Sequence, residues 1–326
     1  MLQIAVGADR SAESLHLVEA PEPTLRPGEL LIRVAYAGVN RPDVMQRQGA
    51  YPPPPDASPV LGLEVSGQVA AVGEGVSGWQ PGDQVCALTP GGGYAQWCTT
   101  PAGQSLPLPG ELTLEAAAAL PENWFTVWAN LVIHGRLQRG ERLLVHGGAS
   151  GIGIAASQLA RMLGASCIVT VGDEDKARFC REFSDVQAIN YRGEDFVARV
   201  RELTNGEGVD VVLDMVGGDY IARNLSLLRR DGRLVFIAFQ RGTRAEVDFS
   251  TVMRNRLVVT GSTMRPRSVA EKTAIRDALR REVWPAIAAG RVRTHVHAVL
   301  PLVEAGRAHA LMESGQFLGK IVLQVP

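Results

Sequence analysis

The 326-residue sequence predicts an α/β fold in which a doubly wound parallel-sheet domain is inserted into a barrel-like β domain. Three observations predict it. Residues 1–110 carry short apolar stretches punctuated by glycine and proline. From Glu141 to about Thr260, apolar stretches alternate with helical text. After about Arg293 the chain returns to strand-like text ending in Lys320-Ile321-Val322-Leu323, so the second domain interrupts the first. The expected boundaries are 1–121 with 287–326 for the β domain and 122–286 for the inserted one.

Within the first part, Leu30–Tyr36 is a strand opened by Arg26-Pro27-Gly28-Glu29, and Val65–Val72 is a strand closed by Gly73-Glu74-Gly75. Trp79–Val85 is a turn feeding a further strand, and Gly49–Pro55 is turn-rich. Near Leu112 the pattern changes. Leu112–Leu120 is an alanine-rich helix with Thr113 as its cap, and Asn123–Ile133 is a second helix that stops at Gly135. The alternating region places strands at Arg142–His146, Cys167–Val171, Ala188–Asn190, Val209–Asp214, Arg233–Phe239 and Leu257–Thr260. Helices such as Ile152–Leu163 and Lys176–Phe183 lie between them, and 265–289 reads as helical. Trp124, Phe125 and Trp128 fall at helical spacing and are expected in the core.

Composition narrows the function. With 46% apolar and 21% charged residues the chain is globular rather than disordered. A formal net charge of -1 provides no field toward nucleic acid or anionic lipid, and the arginines of 223–267 are interspersed with acids, as on solvated faces. The opening MLQIAVGADR lacks the marks of a signal peptide, and no stretch nears the roughly 18 apolar residues of a membrane helix. Cys86, Cys98, Cys167 and Cys180 form no CxxC pair and are expected as reduced thiols, which suits the cytoplasm. The only lysines are Lys176, Lys272 and Lys320, so each invites inspection.

The segment Leu143–Gly153 is a strand, a glycine-rich turn and a helix start. Such a turn lets backbone approach a pyrophosphate, while the helix N-terminus offers N–H donors. Gly148 and Gly153 match the ends of GxGxxG, Ser150 stands at its middle glycine and Gly151 is an extra one. With a strand before and a helix after, the turn predicts a Rossmann-type nucleotide site. The choice between NADPH and NADH rests on the end of the second strand, about 20 residues on. That strand ends in Val171-Gly172, not in a carboxylate that would hold a ribose 2′-hydroxyl. Lys176 and Tyr191 could contact a 2′-phosphate, whereas Asp173 would repel one. NADPH is the expected cofactor, with NADH left open.

Several segments carry a resemblance: Asn40-Arg41-Pro42-Asp43-Val44-Met45-Gln46-Arg47-Gln48-Gly49-Ala50-Tyr51, Leu61-Gly62-Leu63-Glu64, Pro90–Ala95, Ala118–Glu122, the glycine turn and Gly319–Leu323. Together they resemble the zinc-free quinone oxidoreductases of the medium-chain dehydrogenase/reductase superfamily, of the p53-inducible type. The resemblance implies a GroES-like β-barrel catalytic domain with an inserted doubly wound Rossmann domain, and dimers or tetramers. It implies that Tyr51 lies near nicotinamide and substrate, with Asn40 at the cleft floor. Thr126 would touch the nicotinamide side, and Gly148 with Ser150, Gly151, Ile152 and Gly153 would hold the pyrophosphate. Gly172, Lys176 and Tyr191 would surround the 2′ position. Phe317, Gly319 and Lys320 would close over the cofactor. Zinc-dependent members carry Cys where this chain has Asn40 or Arg41 and His where it has Leu63, and they carry a four-Cys lobe that is missing here, so no metal is expected. His295 and His297 have no third ligand near in sequence.

The expected activity is NADPH-dependent reduction of a small quinone or another electrophilic acceptor, by hydride or single-electron transfer. The alternatives are a reductase of activated C=C bonds (enones or alkenals) and a non-catalytic NADPH-binding protein of the zeta-crystallin kind. Leu257–Thr260 reads as an edge strand and predicts a homodimer.

Overall fold

Two large sheets and one two-stranded sheet organise the chain. A computed structural model describes residues 1–326. It divides into Met1–Phe125 with Arg265–Pro326, and Thr126–Met264.

The first unit begins with β1 (Leu2–Val6), β2 (Leu15–Glu19), β3 (Glu29–Val39), α1 (Arg41–Arg47), β4 (Glu64–Val72), β5 (Gln84–Leu88), β6 (Trp97–Pro101), β7 (Ser105–Pro107) and α2 (Leu114–Ala117). Helix α3 (Pro121–Val127) runs into a π-helical stretch at Trp128–His134, so the single expected helix is split. The cause is a wider turn, in which Gly135 N–H reaches the Asn130 carbonyl at 2.8 Å. Helix α2 is shorter than expected but carries the expected cap, with Thr113 Oγ1 accepting from Ala116 N–H at 3.3 Å.

The second unit continues with β8 (Arg142–His146), α4 (Gly151–Leu163), β9 (Ser166–Val171), α5 (Glu174–Phe179), β10 (Gln187–Asn190), α6 (Phe196–Leu203), β11 (Val209–Asp214), α7 (Tyr220–Leu227), β12 (Leu228–Phe236), α8 (Phe249–Asn255) and β13 (Val258–Gly261). The strands form a six-stranded sheet in the order β10-β9-β8-β11-β12-β13, and every pair is parallel. In chain order this is the doubly wound 3-2-1-4-5-6 arrangement, in which a ligand binds where the order reverses, beyond β8. Leu144, Ile168, Val212 and Leu234 fill the core beneath it.

The chain then returns to the first unit through α9 (Val269–Glu282), α10 (Trp284–Ala288), β14 (Val296–Pro301), α11 (Ala305–Ser314) and β15 (Lys320–Gln324). Its main sheet runs β14-β15-β3-β4-β5-β7, with β6 also on β3. Helices α9 and α10, read from the sequence with the inserted domain, pack here: Trp284 Nε1 donates to the Pro107 carbonyl at 2.7 Å.

Two helices correct the sequence reading. Helix α1 lies in text read as strands and turns; Asn40 N–H bonds Asp43 Oδ2 at 2.8 Å, the mark of a capped start. Helix α11 lies where only strands were expected, and it stops at Gly315 with φ +66°. Trp124, Phe125 and Trp128 are buried, as expected. All four cysteines are free, and burial pushes the Cys98, Cys167 and Cys180 thiols up to about 12. No helix is long and apolar enough to cross a membrane.

Candidate functional site

In the first unit, antiparallel pairing of Ile321 with Val39 brings Lys320 beside Asn40. The Lys320 ammonium donates to Asn40 Oδ1 at 2.6 Å and to Glu64 Oε1 at 2.5 Å. Asn40 Nδ2 donates to the same Glu64 oxygen at 2.9 Å, and Glu64 Oε2 accepts the Glu122 N–H at 2.9 Å. Lys320, Glu64 and Asn40 are buried, at 3%, 0% and 6% exposure. Such burial of charge is tolerated because each group has a partner. The Lys320 ammonium, which the resemblance expects near the cofactor, is held by Asn40 and Glu64.

Asp43 lies one turn further along α1. Its carboxyl accepts the Asn40 N–H and, at 3.1 Å, the Gly62 N–H. Full burial pushes it up to about 7 against these bonds. Nearby, Arg47 Nη1 lies 3.3 Å from His309 Nδ1 and Nη2 lies 2.8 Å from Glu313. An arginine only donates, so the His309 proton sits on Nε2, 3.2 Å from the Tyr94 hydroxyl. Burial and the Arg47 charge push His309 down to about 3.

Tyr51 is half-buried, and the Arg265 guanidinium stands 5.6 Å from its ring centroid. Arg265 is fixed by Gln46 Oε1 at 2.7 Å and by the Pro90 carbonyl at 2.8 and 3.0 Å. The buried Lys272 ammonium donates to the Arg265 carbonyl at 2.8 Å. Burial, then the Glu122 charge, raises the Tyr51 hydroxyl, and burial lowers Lys272. Half-buried Glu122 is pushed up to about 8 by burial and then by Glu64. The sequence reading missed Glu64, Arg265 and Lys272 as members of this cluster. Only the rarity of lysine hinted at Lys272. Phe317 is half-buried, and Gly319, at φ +68°, must be glycine because a Cβ would strike the His295 carbonyl.

In the second unit, β8 delivers the glycine turn. A Cβ on Gly148 would meet Val169 Cβ at 2.5 Å, and one on Gly153 would strike the Gly148 carbonyl, so both positions require glycine. Ser150, at the place of the missing middle glycine, caps α4: its Oγ accepts the Gly153 N–H at 3.1 Å and donates to the Gly147 carbonyl at 2.7 Å. The first backbone bond of α4 is Ile154 N–H to Ser150 O, which leaves the Gly151 and Ile152 N–H groups directed beyond the helix end. This turn suits a pyrophosphate. Buried His146 braces it, with Nδ1 2.8 Å from Thr170 Oγ1 and Nε2 2.8 Å from Asn224 Oδ1. Thr126 is half-buried, and its carbonyl accepts from Asn130 Nδ2 at 2.9 Å.

At the end of β9, a Cβ on Gly172 would lie 3.0 Å from the Tyr191 hydroxyl and 3.7 Å from Arg192 Nε. Asp173 caps α5, with Oδ1 accepting the Lys176 N–H at 2.8 Å and Oδ2 3.3 Å from Lys176 Nζ. Its charge is therefore spent on its own helix and on Lys176. The repulsion of a phosphate expected from the sequence is correspondingly weakened. Arg241 stands over Tyr191 at 6.0 Å.

Zinc does not fit the first unit. Asn40, Arg41 and Leu63 occupy the places of zinc ligands, Glu64 is paired with an ammonium, and no three His, Cys, Asp or Glu side chains group to hold a metal.

Two family descriptions match the chain: an alcohol dehydrogenase GroES-like domain over residues 26–110 and a zinc-binding dehydrogenase over 151–280. The crystal structure of Escherichia coli quinone oxidoreductase complexed with NADPH is 31% identical, with a TM-score of 0.86, over 99% of this chain and 100% of that one. CurK enoyl reductase is 28% identical, with a TM-score of 0.88, over 100% and 99%. A phenolphthiocerol/phthiocerol polyketide synthase of Mycobacterium tuberculosis is 30% identical over 100% of this chain, which spans 15% of that protein's length. Both sheet architectures, the glycine turn and these similarities agree: the chain belongs to the medium-chain dehydrogenase/reductase superfamily of oxidoreductases.

Proposed function

We propose that this chain is a zinc-free, NADPH-dependent quinone reductase, of the kind represented by the quinone oxidoreductases. The observation that carries the reading is the Lys320–Asn40–Glu64 cluster. It seats an ammonium among side chains that cannot form a zinc site. Without a Lewis acid to polarise an alcohol or a simple ketone, the acceptor must be electrophilic by itself, as a quinone is.

Gly148, Ser150, Gly151, Ile152 and Gly153 would hold the pyrophosphate, and Gly172, Lys176 and Tyr191 would surround the 2′-phosphate. Thr126, Phe317 and Gly319 are left to the nicotinamide side. Bound NADPH supplies a hydride. The chain's own task is to hold the acceptor and limit water. Tyr51, its ring fixed beside Arg265, hydrogen-bonds the acceptor oxygen, and Asn40 is kept rigid by Lys320 and Glu64.

A second reading is reduction of activated C=C bonds, favoured by the whole-chain similarity to CurK enoyl reductase. The two are separated by kcat/KM for a para-quinone and for an enone, each with NADPH. A larger value for the quinone supports the first reading, and a larger value for the enone replaces it. Tight NADPH binding without turnover of either would mark a non-catalytic protein.

The chain is also proposed to form a homodimer. Strand β13 is an edge of the parallel sheet, and Val259 on it is 47% exposed beside α8, whose Phe249 and Met253 are 71% and 73% exposed. A monomer by light scattering at micromolar concentration would contradict this.

A further inference from the structure

We infer that His146 positions both turns that border the nucleotide site, the glycine turn after β8 and the turn after β11, through one line of buried hydrogen bonds. The inference rests on the NADPH reading above and holds whichever acceptor is reduced. In the order β10-β9-β8-β11-β12-β13 the sheet changes its direction of growth between β8 and β11, so a dinucleotide lies beyond the ends of these two strands. His146 is the last residue of β8 and Asp214 the last of β11. The residues that follow them lie against each other, since a Cβ on Gly147 would stand 2.9 Å from Met215 Sδ.

The line of bonds has a fixed direction. Asp214 Oδ1 accepts the Val216 N–H at 2.6 Å and the Gly217 N–H at 3.1 Å, which shapes the turn after β11. Asp214 Oδ2 accepts from Asn224 Nδ2 at 3.0 Å, so the Asn224 amide turns its oxygen to His146 Nε2, 2.8 Å away. An amide oxygen only accepts, so Nε2 carries the ring proton. Nδ1 is then an acceptor, and the Thr170 hydroxyl donates to it at 2.8 Å. Thr170 in turn holds the glycine turn: its carbonyl accepts the Gly147 and Gly148 N–H groups, each at 3.0 Å. The Gly147 carbonyl accepts from Ser150 Oγ at 2.7 Å, so the line reaches the cap of α4, whose open N–H groups suit a pyrophosphate. Thr170, His146, Asn224 and Asp214 are each 1% exposed or less, so water does not replace a missing partner. Phe196 and Tyr220 stand edge-on to the imidazole, with ring centroids 5.2 and 4.9 Å away, and fix its plane. Burial, against the Asp214 charge, pushes the imidazole down, which favours its neutral form. Buried beneath the turns, His146 acts on the cofactor through their backbone groups and is a positioning residue. The pyrophosphate is common to NADPH and NADH, so its loss should weaken both alike.

The test compares the full chain as wild type, His146→Leu and His146→Gln. Affinities for NADPH and for NADH are read by fluorescence titration, and backbone amide exchange by NMR. The ring nitrogen shifts of His146 are recorded in the wild type. Leucine can neither donate nor accept, whereas glutamine carries an N–H that can take over the bond to Asn224. His146→Leu should weaken NADPH and NADH by about tenfold each, and His146→Gln should stay within about threefold of wild type. In the Leu variant the amides of Gly147, Gly148, Val216 and Gly217 should exchange faster together, while those of β13 stay within about twofold. The wild-type ring should be the neutral Nε2–H tautomer, and this measurement with the Gln variant decides the matter if the Leu variant does not fold. A proton on Nδ1 in place of Nε2, a folded Leu variant with wild-type affinity, or faster exchange in one turn alone overturns the inference. A loss confined to NADPH also overturns it, because the effect then lies at the 2′ position. Wild-type protein that binds neither dinucleotide overturns the NADPH reading and the inference with it, whereas tight binding by wild type and Leu variant alike overturns the inference only.

Discussion

Lys320 and Glu64 form an ion pair from which water is excluded, Nζ to Oε1 at 2.5 Å, and Asn40 bonds both partners. Lys320→Met would leave the Glu64 carboxylate buried without its counter-ion. The expected cost is about 3–5 kcal/mol of unfolding free energy, read from denaturant midpoints. The double variant Lys320→Met with Glu64→Gln should recover a substantial part. Equal losses for the single and double variants would mean that the pair is not coupled.

Gly148 and Gly153 are constrained differently, and this can be measured. The neighbour of a Cβ at 148 is the Val169 side chain, at 2.5 Å, whereas at 153 it is the backbone carbonyl of Gly148. Gly148→Ala should weaken NADPH binding by tenfold or more, and adding Val169→Gly should restore part of it, because the side chain in the way, its Cβ included, is then removed. Gly153→Ala with Val169→Gly should show no such rescue. Rescue at both positions would contradict the assigned packing.

Lys176 is expected to discriminate between the two cofactors. Lys176→Ala should raise KM for NADPH by about tenfold, the loss of roughly one charge-assisted hydrogen bond, and leave KM for NADH nearly unchanged. Equal effects on the two would show that the ammonium serves only to pair with Asp173.

Asp43 and His309 should give stability opposite pH dependences. The Asp43 carboxyl is raised from 3.8 to about 7, so its proton stabilises the fold fully below about pH 4, and that contribution is lost as pH rises toward 7. The stability difference between wild type and Asp43→Asn should therefore fall with pH across that window, by at most about 1.4 kcal/mol per pH unit. His309 is lowered from 6.5 to about 3, so its contribution is present above pH 6.5 and lost on acidification. The difference between wild type and His309→Gln should rise with pH. Two slopes of the same sign would refute this electrostatic account.

Much of the architecture was legible because local signals agreed with the global fold. Arg142–His146 and Val209–Asp214 are strands with the bounds expected, since both are apolar runs buried on two faces and closed by glycine or a polar turn. Helix α1 was missed although Asn40-Arg41-Pro42-Asp43 carries a cap and an early proline, because the prolines and glycine that follow drew the segment into a turn. Helix α11 was missed although Gly315 marks its stop, because the strands flanking it set the reading. Asn40 and Tyr51 came from a resemblance to a family. Arg265 reaches Tyr51 only through the fold, with Lys272 bonded to the Arg265 carbonyl, since more than 200 residues separate both from Tyr51 in sequence, and no periodicity reports such a meeting.

The most direct test of the central claim is NADPH oxidation by protein dialysed against a chelator, with a para-quinone as acceptor. The account predicts turnover equal to that of the undialysed protein and no gain on adding zinc, because Lys320, Asn40 and Glu64 act together without a metal. Activity that disappears on dialysis and returns with zinc, or a complete lack of quinone turnover in protein that reduces an enone, would contradict it.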